Sequence, residues 1–263
     1  MKLSVIFLIT GSILLVEAEL MTPKQRLRCE QFISIFENDT IEIQYAFVMD
    51  VHDGRGYTCG KFGFTTCTGD AYDLIKKYTA KKPANPLAPF LPELVRLARE
   101  FSNDTSGLGG YPEAWKTAAK DQLFRDTQDE VSAGMSYYPA IKYAERAGIK
   151  TAMGKCAIYD CIIEHGNNDD GDSLGAIFNR TWDKEKGGVK SAATEQYWIR
   201  SFLNMRLDDF DNPREPINIE HHTFWHDMSV QRVYAMITLL NEYNMDLDGP
   251  IHIKTKDHDK TIP

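Results

Sequence analysis

The sequence has no excess of basic residues, no low-complexity tract and no internal repeat. Its 263 residues include 30 Lys and Arg against 38 Asp and Glu, which gives a formal net charge of −8. This balance argues against nucleic acid as the main partner, because phosphate neutralisation requires a basic face; a neutral or cationic partner fits better. With 43% hydrophobic and 26% charged residues the composition is globular, which excludes a disordered, fibrous or multi-span membrane protein. Without a long linker, we expect one cooperative unit.

Long hydrophobic runs are also lacking, except at the N-terminus. Lys2 precedes an almost unbroken apolar run over residues 3–16, which is shorter than the roughly 20 residues that span a bilayer. The run ends in Val16-Glu17-Ala18, a small-x-small cleavage pattern. We therefore predict a signal peptide over residues 1–18 and a secreted, extracellular domain over residues 19–263, with no membrane partner after cleavage. An uncleaved membrane anchor is the alternative.

Cysteine is scarce, with five residues in the whole chain. An odd number in a secreted monomer, the state expected here, leaves at least one thiol unpaired. Cys59 and Cys67 flank a short glycine-rich stretch and can close it as a disulfide. Cys156 and Cys161 are five positions apart on one predicted helix, so they lie on different faces, and we expect them to fill apolar space. None of the cysteines has zinc-ribbon spacing.

Hydrophobic periodicity predicts a mainly α (α+β) chain with one small β region near the N-terminus. Thr22-Pro23-Lys24-Gln25 combines an N-cap, a proline at N1 and a capping-box glutamine, so a helix begins there. Alternation over residues 41–47 predicts a strand, and five glycines between Asp53 and Gly69 predict turns and short strands. Further helices are expected over residues 70–79, 92–102, 113–128, 138–165, 173–186, 191–209 and 227–243.

Three patterns resemble known sites but lack an essential part. Residues 171–175 (GDSLG) match a nucleophile elbow, yet they follow a polar loop instead of a strand. The same loop fails as a calcium-binding EF-hand, because Gly166 and Ile177 occupy positions that require carboxylates. His222 and His226 can share a helical face as metal ligands, but packing or surface histidines are the more common outcome. We predict neither a metal site nor a cofactor.

Two carboxylates make the region after the first helix informative. Glu37 follows an apolar helical face, and Asp53 enters a glycine-rich turn sixteen residues later. Glycosidic cleavage needs such a pair, a protonated acid for the leaving oxygen and a carboxylate for a water or for the anomeric carbon. Desolvation beside the apolar face favours a raised pKa for Glu37. Spacing alone is a weak signal, because most carboxylates are solvated surface groups.

Short segments spread in order over nearly the whole mature chain strengthen this interpretation. They are Phe36-Glu37-Asn38, Asp53-Gly54-Arg55-Gly56-Tyr57-Thr58, Gly63-Phe64, Thr68-Gly69-Asp70, Ser106-Gly107-Leu108-Gly109, Trp115-Lys116-Thr117-Ala118-Ala119-Lys120-Asp121, Tyr159-Asp160 with His165-Gly166, and Phe202-Leu203-Asn204-Met205-Arg206. Together they resemble the chitosanases of glycoside hydrolase family 46.

This resemblance implies a lysozyme-like fold of two lobes, with a small β-sheet beside the substrate cleft. It implies a secreted enzyme that cleaves internal β-1,4 bonds of chitosan, a polymer of glucosamine, with inversion. Glu37 is then the general acid and Asp53 the general base, with the carboxyls roughly 6.5–9.5 Å apart, and Thr58 helps to hold the attacking water. Substrate-binding positions fall at Arg55, Gly63 and Asp70. An acidic cleft suits this polymer, since protonated glucosamine is cationic.

Two positions keep an alternative at this point. Asp70 either binds a substrate ammonium group or caps the helix over residues 70–79. Asp160 lies among apolar residues and needs a partner, and the resemblance implies a network of Asp160, Arg206, a second arginine and Glu37. Alignment back from Arg232 puts His226 where that second arginine is expected, and Arg214 is a substitute.

Other functions remain open as alternatives. The first is a lysozyme-like hydrolase of acetylated polysaccharide, either chitin or peptidoglycan. The second is a secreted carbohydrate-binding protein without catalysis, which the presence of both acids and Thr58 disfavours. A zinc-dependent enzyme is the third. If the secretory route is eukaryotic, Asn38, Asn103 and Asn179 head glycosylation sequons. We expect Asn38 to stay unmodified because a glycan beside Glu37 would crowd the cleft.

Overall fold

The computed structural model describes residues 20–263, so the predicted signal peptide lies outside the described residues. Helices dominate this range, which confirms the mainly α (α+β) class. They are α1 (Pro23–Asn38), α2 (Asp70–Lys81), α3 (Leu91–Glu100), α4 (Tyr111–Ala118), α5 (Gln122–Ser132), α6 (Tyr138–Ala147), α7 (Ala152–His165), α8 (Leu174–Lys184), α9 (Ala192–Asp211), α10 (Pro216–Glu220) and α11 (His222–Asn241). A 3-10 helix (Ala88–Phe90) precedes α3, and a π-helix (Ala133–Tyr137) joins α5 to α6.

Two small antiparallel sheets accompany the helices. The first is a meander of β1 (Val48–Asp50), β2 (Tyr57–Cys59) and β3 (Phe64–Thr65), and the second pairs β4 (Ile251–Lys254) with β5 (Asp259–Ile262). The register of the first sheet sets Thr58 opposite both Met49 and Thr65. The second sheet contradicts the expectation that β structure is confined to the N-terminal region.

The start of α1 agrees with the prediction. Thr22 Oγ1 accepts a hydrogen bond from the Gln25 backbone N–H at 3.3 Å, and Gln25 Oε1 accepts one from the Thr22 backbone N–H at 3.0 Å. The helix ends at Asp39, whose left-handed φ of 52° stops it. Glu37 consequently lies in the last turn of α1.

The strand predicted over residues 41–47 is wrong. The backbone turns here instead, with hydrogen bonds from Tyr45 N to Ile43 O at 3.0 Å and from Phe47 N to Gln44 O at 3.2 Å. The Tyr45 carbonyl accepts from the side chains of Trp115 and Gln128, which occupies a group that a sheet ladder would use. The first strand therefore begins only at Val48.

Two predicted long helices are each divided in two. The helix expected over residues 113–128 stops at Ala118 and restarts after Asp121, whose carboxylate caps α5 by accepting from Leu123 N at 3.1 Å. The helix expected over residues 138–165 stops at Gly148, which has a φ of 75°. It restarts after Thr151, which caps α7. Local cap residues outweighed the hydrophobic periodicity at both breaks.

Buried apolar side chains form two separate cores, which define two lobes. The small-lobe core packs β2 and β3 with α2 to α5, around residues such as Tyr78, Tyr111 and Trp115. The large-lobe core packs α1 with α6 to α9, α11 and the C-terminal hairpin, around residues such as Ile33 and Phe202. The π-helix lies where the chain passes from one lobe to the other.

A disulfide joins Cys29 on α1 to Cys156 on α7, with the Cα atoms 5.6 Å apart. The expectation for Cys156 as apolar filling is therefore wrong, whereas Cys161 is a buried free thiol as expected. The disulfide considered between Cys59 and Cys67 is not formed. Both are buried free thiols, and Cys59 Sγ instead contacts the Tyr111 hydroxyl at 3.8 Å.

Candidate active site

A cleft of about 420 Å³ lies between the sheet of the small lobe and the large lobe. Five of the predicted site residues line it, namely Glu37, Arg55, Thr58, Gly63 and Asp70. Asp53 is not one of the lining residues but lies on the turn between β1 and β2, two residues before Arg55. Asn38 also lines the cleft, so a glycan there would occupy the groove.

Glu37 projects from the last turn of α1, and Arg232 on α11 binds it. Arg232 Nη1 donates to Glu37 Oε1 at 2.7 Å. Although 36% of the Glu37 side chain is exposed at the cleft, the packing around the rest desolvates it. This desolvation raises the pKa of Glu37, and the neighbouring carboxylates Glu164 and Asp160 reinforce the rise while Arg232 opposes it.

Behind Glu37 lies a buried ionic network centred on Asp160 of α7. Arg232 Nη2 and Nε donate to Asp160 Oδ1 at 2.7 and 3.0 Å, and Arg206 Nη1 lies 2.8 Å from Asp160 Oδ2. The side chains of Asp160 and Arg206 are fully buried. Burial opposes ionisation of Asp160, yet the two arginines hold its pKa below the ordinary value. The implied partnership of Asp160 with Arg206 is thus present.

The second arginine of this network is Arg232, and neither earlier candidate takes its place. His226 instead contacts Asp211 and Asp227 on the surface. Arg214 pairs with Asp208 and Asp209, because the segment after α9 folds towards the loop that follows α7. Between Arg206 and Arg232 the chain completes α9, forms the short helix α10 and begins α11, and Arg232 reaches the network from α11.

Asp53 has a simpler environment than Glu37. Arg55 donates three hydrogen bonds to its carboxylate, from the backbone N at 3.0 Å, from Nε at 2.9 Å and from Nη2 at 2.6 Å. These bonds hold the pKa of Asp53 below its ordinary value. The Asp53 side chain is 30% exposed and the Arg55 side chain 55% exposed, so this pair stands at the surface.

Thr58 brings a buried hydroxyl to the wall of the cleft. Within residues 20–263 its Oγ1 has no hydrogen-bond partner, which is uncommon for a buried polar atom. Gly63 packs over it: a Cβ on Gly63 would lie 3.3 Å from Thr58 Cγ2, and the φ of 76° already disfavours any side chain there. A residue larger than glycine at position 63 would crowd Thr58.

Asp70 begins α2 and orders the loop before it. Oδ1 accepts from Thr65 N at 2.8 Å, from Thr68 Oγ1 at 2.8 Å and from Ala71 N at 2.9 Å. The N-cap of α2 is Gly69 and not Asp70, so the capping alternative is wrong in detail. Desolvation raises the pKa of Asp70 despite these donors. All three donors bind the same oxygen of the carboxylate.

Comparisons with known proteins identify the family of the chain. The profile of glycosyl hydrolase family 46 matches residues 31–251. The chain belongs to glycosyl hydrolase family 46. The resemblance seen in the sequence is thereby confirmed, and so is the expectation of an enzyme.

Individual members of family 46 are similar over most of the chain. A chitosanase of Bacillus subtilis strain 168 is 45% identical over 234 residues, which cover 89% of this chain and 83% of the relative. The solved structure of a mutant chitosanase from Bacillus subtilis MY002, complexed with 6 GlcN, superposes with a TM-score of 0.80 at 43% identity and covers 92% of this chain and 100% of that one. A Gynuella sunshinyii family 46 chitosanase in complex with chitotetraose gives 0.78 at 37% identity, covering 92% and 99%. The lysozyme-like two-lobed fold expected from the sequence agrees with these structures.

Sequence reasoning missed two charged residues of this family 46 site, namely Lys61, which lines the cleft, and Glu164, which contacts Arg232. Lys61 follows β2, and its fully buried ammonium group lies 2.9 Å from Glu30 Oε2 on α1 and 2.6 Å from Asp129 Oδ1 on α5. Glu164 is only 12% exposed and contacts the same Arg232 nitrogen as Glu37. A signal for Glu164 was available, since residue 164 lies one helical turn after Asp160 and so on the same face of α7.

Residues 20–263 contain no group of three or more His, Cys, Asp or Glu side chains arranged to hold a metal ion. The His222 and His226 rings stand 5.7 Å apart on α11. Over the same range, no helix combines the length and the apolar character needed to cross a membrane.

Proposed function

We propose that the chain is a secreted, endo-acting chitosanase that hydrolyses β-1,4 bonds between glucosamine units with inversion at the anomeric carbon. The observation that carries this proposal is the contrast between two carboxyls of one cleft region. The pKa of Glu37 is raised, whereas that of Asp53 is lowered. A pair whose pKa values are pushed apart in this way suits one general acid and one general base.

In this proposal Glu37 donates its proton to the glycosidic oxygen as the bond from that oxygen to C1 breaks. A water attacks C1 from the opposite face, and Asp53 takes the proton that this water loses. Thr58 Oγ1, buried and without a partner in the described residues, accepts or donates the hydrogen bond that orients the water. Proton exchange with solvent then restores the protonated Glu37 and the ionised Asp53.

The charge of the chain and of Asp70 supports a cationic substrate. Because the donors around Asp70 all bind Oδ1, its Oδ2 is the oxygen that we assign to a glucosamine ammonium group, in a charge-assisted hydrogen bond. Arg55 and Gly63 line the same groove and complete the proposed binding surface. The solved relatives that hold 6 GlcN or chitotetraose are consistent with this substrate class.

The test compares the mature protein with its Glu37→Gln variant on highly deacetylated chitosan, following viscosity and reducing ends together. We expect a fast fall in viscosity for the wild type and a loss of at least about 10³-fold in rate for the variant. Glu42→Gln is the matched control, since it removes an exposed carboxylate five residues further on, and it should retain wild-type activity.

Other outcomes would direct the assignment elsewhere. Cleavage of chitin or peptidoglycan but not of chitosan would favour the hydrolase of acetylated polysaccharide. Binding of chitosan without any product would favour the carbohydrate-binding protein. Proton NMR of fresh product checks the stereochemistry, because inversion at a β-bond releases the α-anomer first; release of the β-anomer would contradict the mechanism.

A further inference from the structure

One nitrogen of Arg232 serves two carboxylates. Nη1 donates to Glu37 Oε1 at 2.7 Å and also contacts Glu164 Oε2. Glu37 comes to this nitrogen from α1 and Glu164 comes from α7. The Arg232 side chain is 3% exposed and that of Glu164 is 12% exposed, whereas Glu37 opens to the cleft. Glu164 therefore shares the arginine with Glu37 from the buried side.

The surroundings of Glu164 keep it ionised. Its Oε1 accepts hydrogen bonds from Trp225 Nε1 at 2.9 Å and from Ser229 Oγ. Trp225, Ser229 and Arg232 follow one another at intervals of four and three residues, so they share one face of α11. Burial opposes the charge, yet Arg232, His165 and Ser229 bring the pKa of Glu164 below its ordinary value.

We propose that Glu164 is a positioning residue that keeps the proton on Glu37 by acting as the second counter-ion of the arginine pair. This proposal rests on the proposed role of Glu37 as general acid. The reason is a balance of buried charge. Asp160 and Glu164 together neutralise Arg206 and Arg232, so an ionised Glu37 would add a surplus negative charge. Without Glu164, the two arginines would face Asp160 alone, and ionisation of Glu37 would complete the neutralisation.

The other charged groups around Glu37 are already paired. Asp160 binds both arginines, Arg55 binds Asp53, Lys61 lies between Glu30 and Asp129, and Lys260 on β5 pairs with Asp39 at 3.2 Å. His258 packs on Phe36 with ring centroids 5.0 Å apart, and Asp70 lines the far side of the cleft. Glu164 is the carboxylate that competes with Glu37 for a single donor, so its removal should change Glu37 most.

The test is a titration of Glu37 in the intact protein and in Glu164→Gln, by carboxyl ¹³C NMR with the resonance assigned through its loss in Glu37→Gln. Glutamine keeps an oxygen that can accept from Trp225 and Ser229 but removes the charge. We expect the pKa of Glu37 to fall by about 1 unit or more. The alkaline limb of the kcat profile on chitosan should move to lower pH by the same amount, because Glu37 then loses its proton earlier, while the acid limb stays in place.

Two control variants separate charge from structure. Asp227→Asn removes an exposed carboxylate from α11, the helix that carries Arg232, and should leave the Glu37 titration unchanged. Trp225→Phe removes one hydrogen bond to Glu164 but keeps its charge, so it should shift the titration far less than Glu164→Gln does. If Glu164→Gln does not fold, Glu164→Met removes the same charge at a similar volume.

The outcomes distinguish this inference from the proposed function. A Glu37 titration within 0.2 units of the wild type in a folded, charge-free variant at position 164 would overturn the inference, whatever the activity. So would a shift in Trp225→Phe as large as that in Glu164→Gln. If Glu37→Gln retained full activity while the titration shifted as expected, the role of Glu37 as acid would fail and the electrostatic role of Glu164 would stand.

Discussion

The two proposed catalytic carboxyls stand in opposite kinds of surroundings. Glu37 ends a helix that a disulfide ties to α7, and it contacts an arginine that is almost wholly buried in an ionic network. Asp53 lies on a glycine-containing turn, and the side chain of Arg55, which binds it, is 55% exposed. The first environment belongs to the large-lobe core, and the second belongs to the surface of the small lobe.

Substitutions in these two environments should therefore have different effects on folding and on activity. Buried charges depend on each other, so a change in the network around Glu37 should affect both folding and activity. The Asp53–Arg55 pair is open to water, and exposed ion pairs contribute little to stability. A change there should alter the reaction and leave the fold intact. The pH behaviour should follow the same division, since the proposed mechanism needs Glu37 protonated and Asp53 ionised.

The largest effect is expected from Arg206→Ala, which removes one arginine from the buried ionic network behind Glu37. It leaves Asp160 with one arginine in place of two, and removing one partner of a buried pair costs about 3–5 kcal/mol. The free energy of unfolding, from urea denaturation, should fall by that amount. Because Arg232 would then be drawn towards Asp160 and away from Glu37, kcat should fall about 10- to 100-fold.

Arg200→Ala is the matched control for this prediction. Arg200 lies on the same helix, α9, but bonds to Asn241 instead of a buried carboxylate. We expect its substitution to change stability by less than about 0.5 kcal/mol. Wild-type stability together with wild-type activity in Arg206→Ala would remove the network from the account of the site.

A smaller effect is expected from Arg55→Ala, which changes the exposed Asp53–Arg55 pair. It should lower activity without lowering stability. Loss of the two side-chain hydrogen bonds, from Nε and Nη2, allows the pKa of Asp53 to rise towards its ordinary value, while the bond from the backbone N–H of residue 55 remains. Since the proposed base must be ionised, activity should be lost as pH falls through this pKa, so the acid limb of the kcat profile should move to higher pH. We expect a loss of about tenfold or more in kcat from poorer positioning, with the melting temperature unchanged.

Arg55→Lys separates the effect of the positive charge from that of the guanidinium donors. It keeps the positive charge but loses the paired donors of the guanidinium group, so it should restore the position of the acid limb more than it restores kcat. An acid limb that stays in place in Arg55→Ala would show that Arg55 does not set the ionisation of Asp53.

Much of the fold was predictable where the signal is local. The capping box at Thr22 fixed the start of α1, and the helical content followed from periodicity. Residues 41–47 alternate like a strand, but tertiary partners such as Trp115 and Gln128 take up their backbone. Asp121 and Thr151 are residue types that cap helices, and each marks a break that hydrophobic periodicity alone does not indicate. The prediction of a single β region missed the C-terminal hairpin.

The site residues also divide into those that a local motif predicts and those that depend on contacts between distant parts of the chain. Glu37, Arg55, Thr58, Gly63 and Asp70 fall in short motifs that the family resemblance covers, and all of them line the cleft. The Cys29–Cys156 bond and the Arg232–Glu37 contact join residues 127 and 195 positions apart. No local pattern carries such pairings, since they depend on how α1, α7 and α11 pack.

The smallest effect is expected from Thr58→Val in the wall of the cleft, and the change in the free energy of unfolding should have the opposite sign to that of Arg206→Ala. Valine keeps the shape under Gly63 and replaces a buried hydroxyl that has no partner in the described part of the chain. Because such a hydroxyl is costly to desolvate, the free energy of unfolding should stay level or rise by up to about 1 kcal/mol. If the hydroxyl orients the attacking water, kcat should fall about tenfold with little change in KM, and Thr58→Ser should recover most of it. Full activity in Thr58→Val would remove the hydroxyl from the mechanism and leave the water to Asp53 alone.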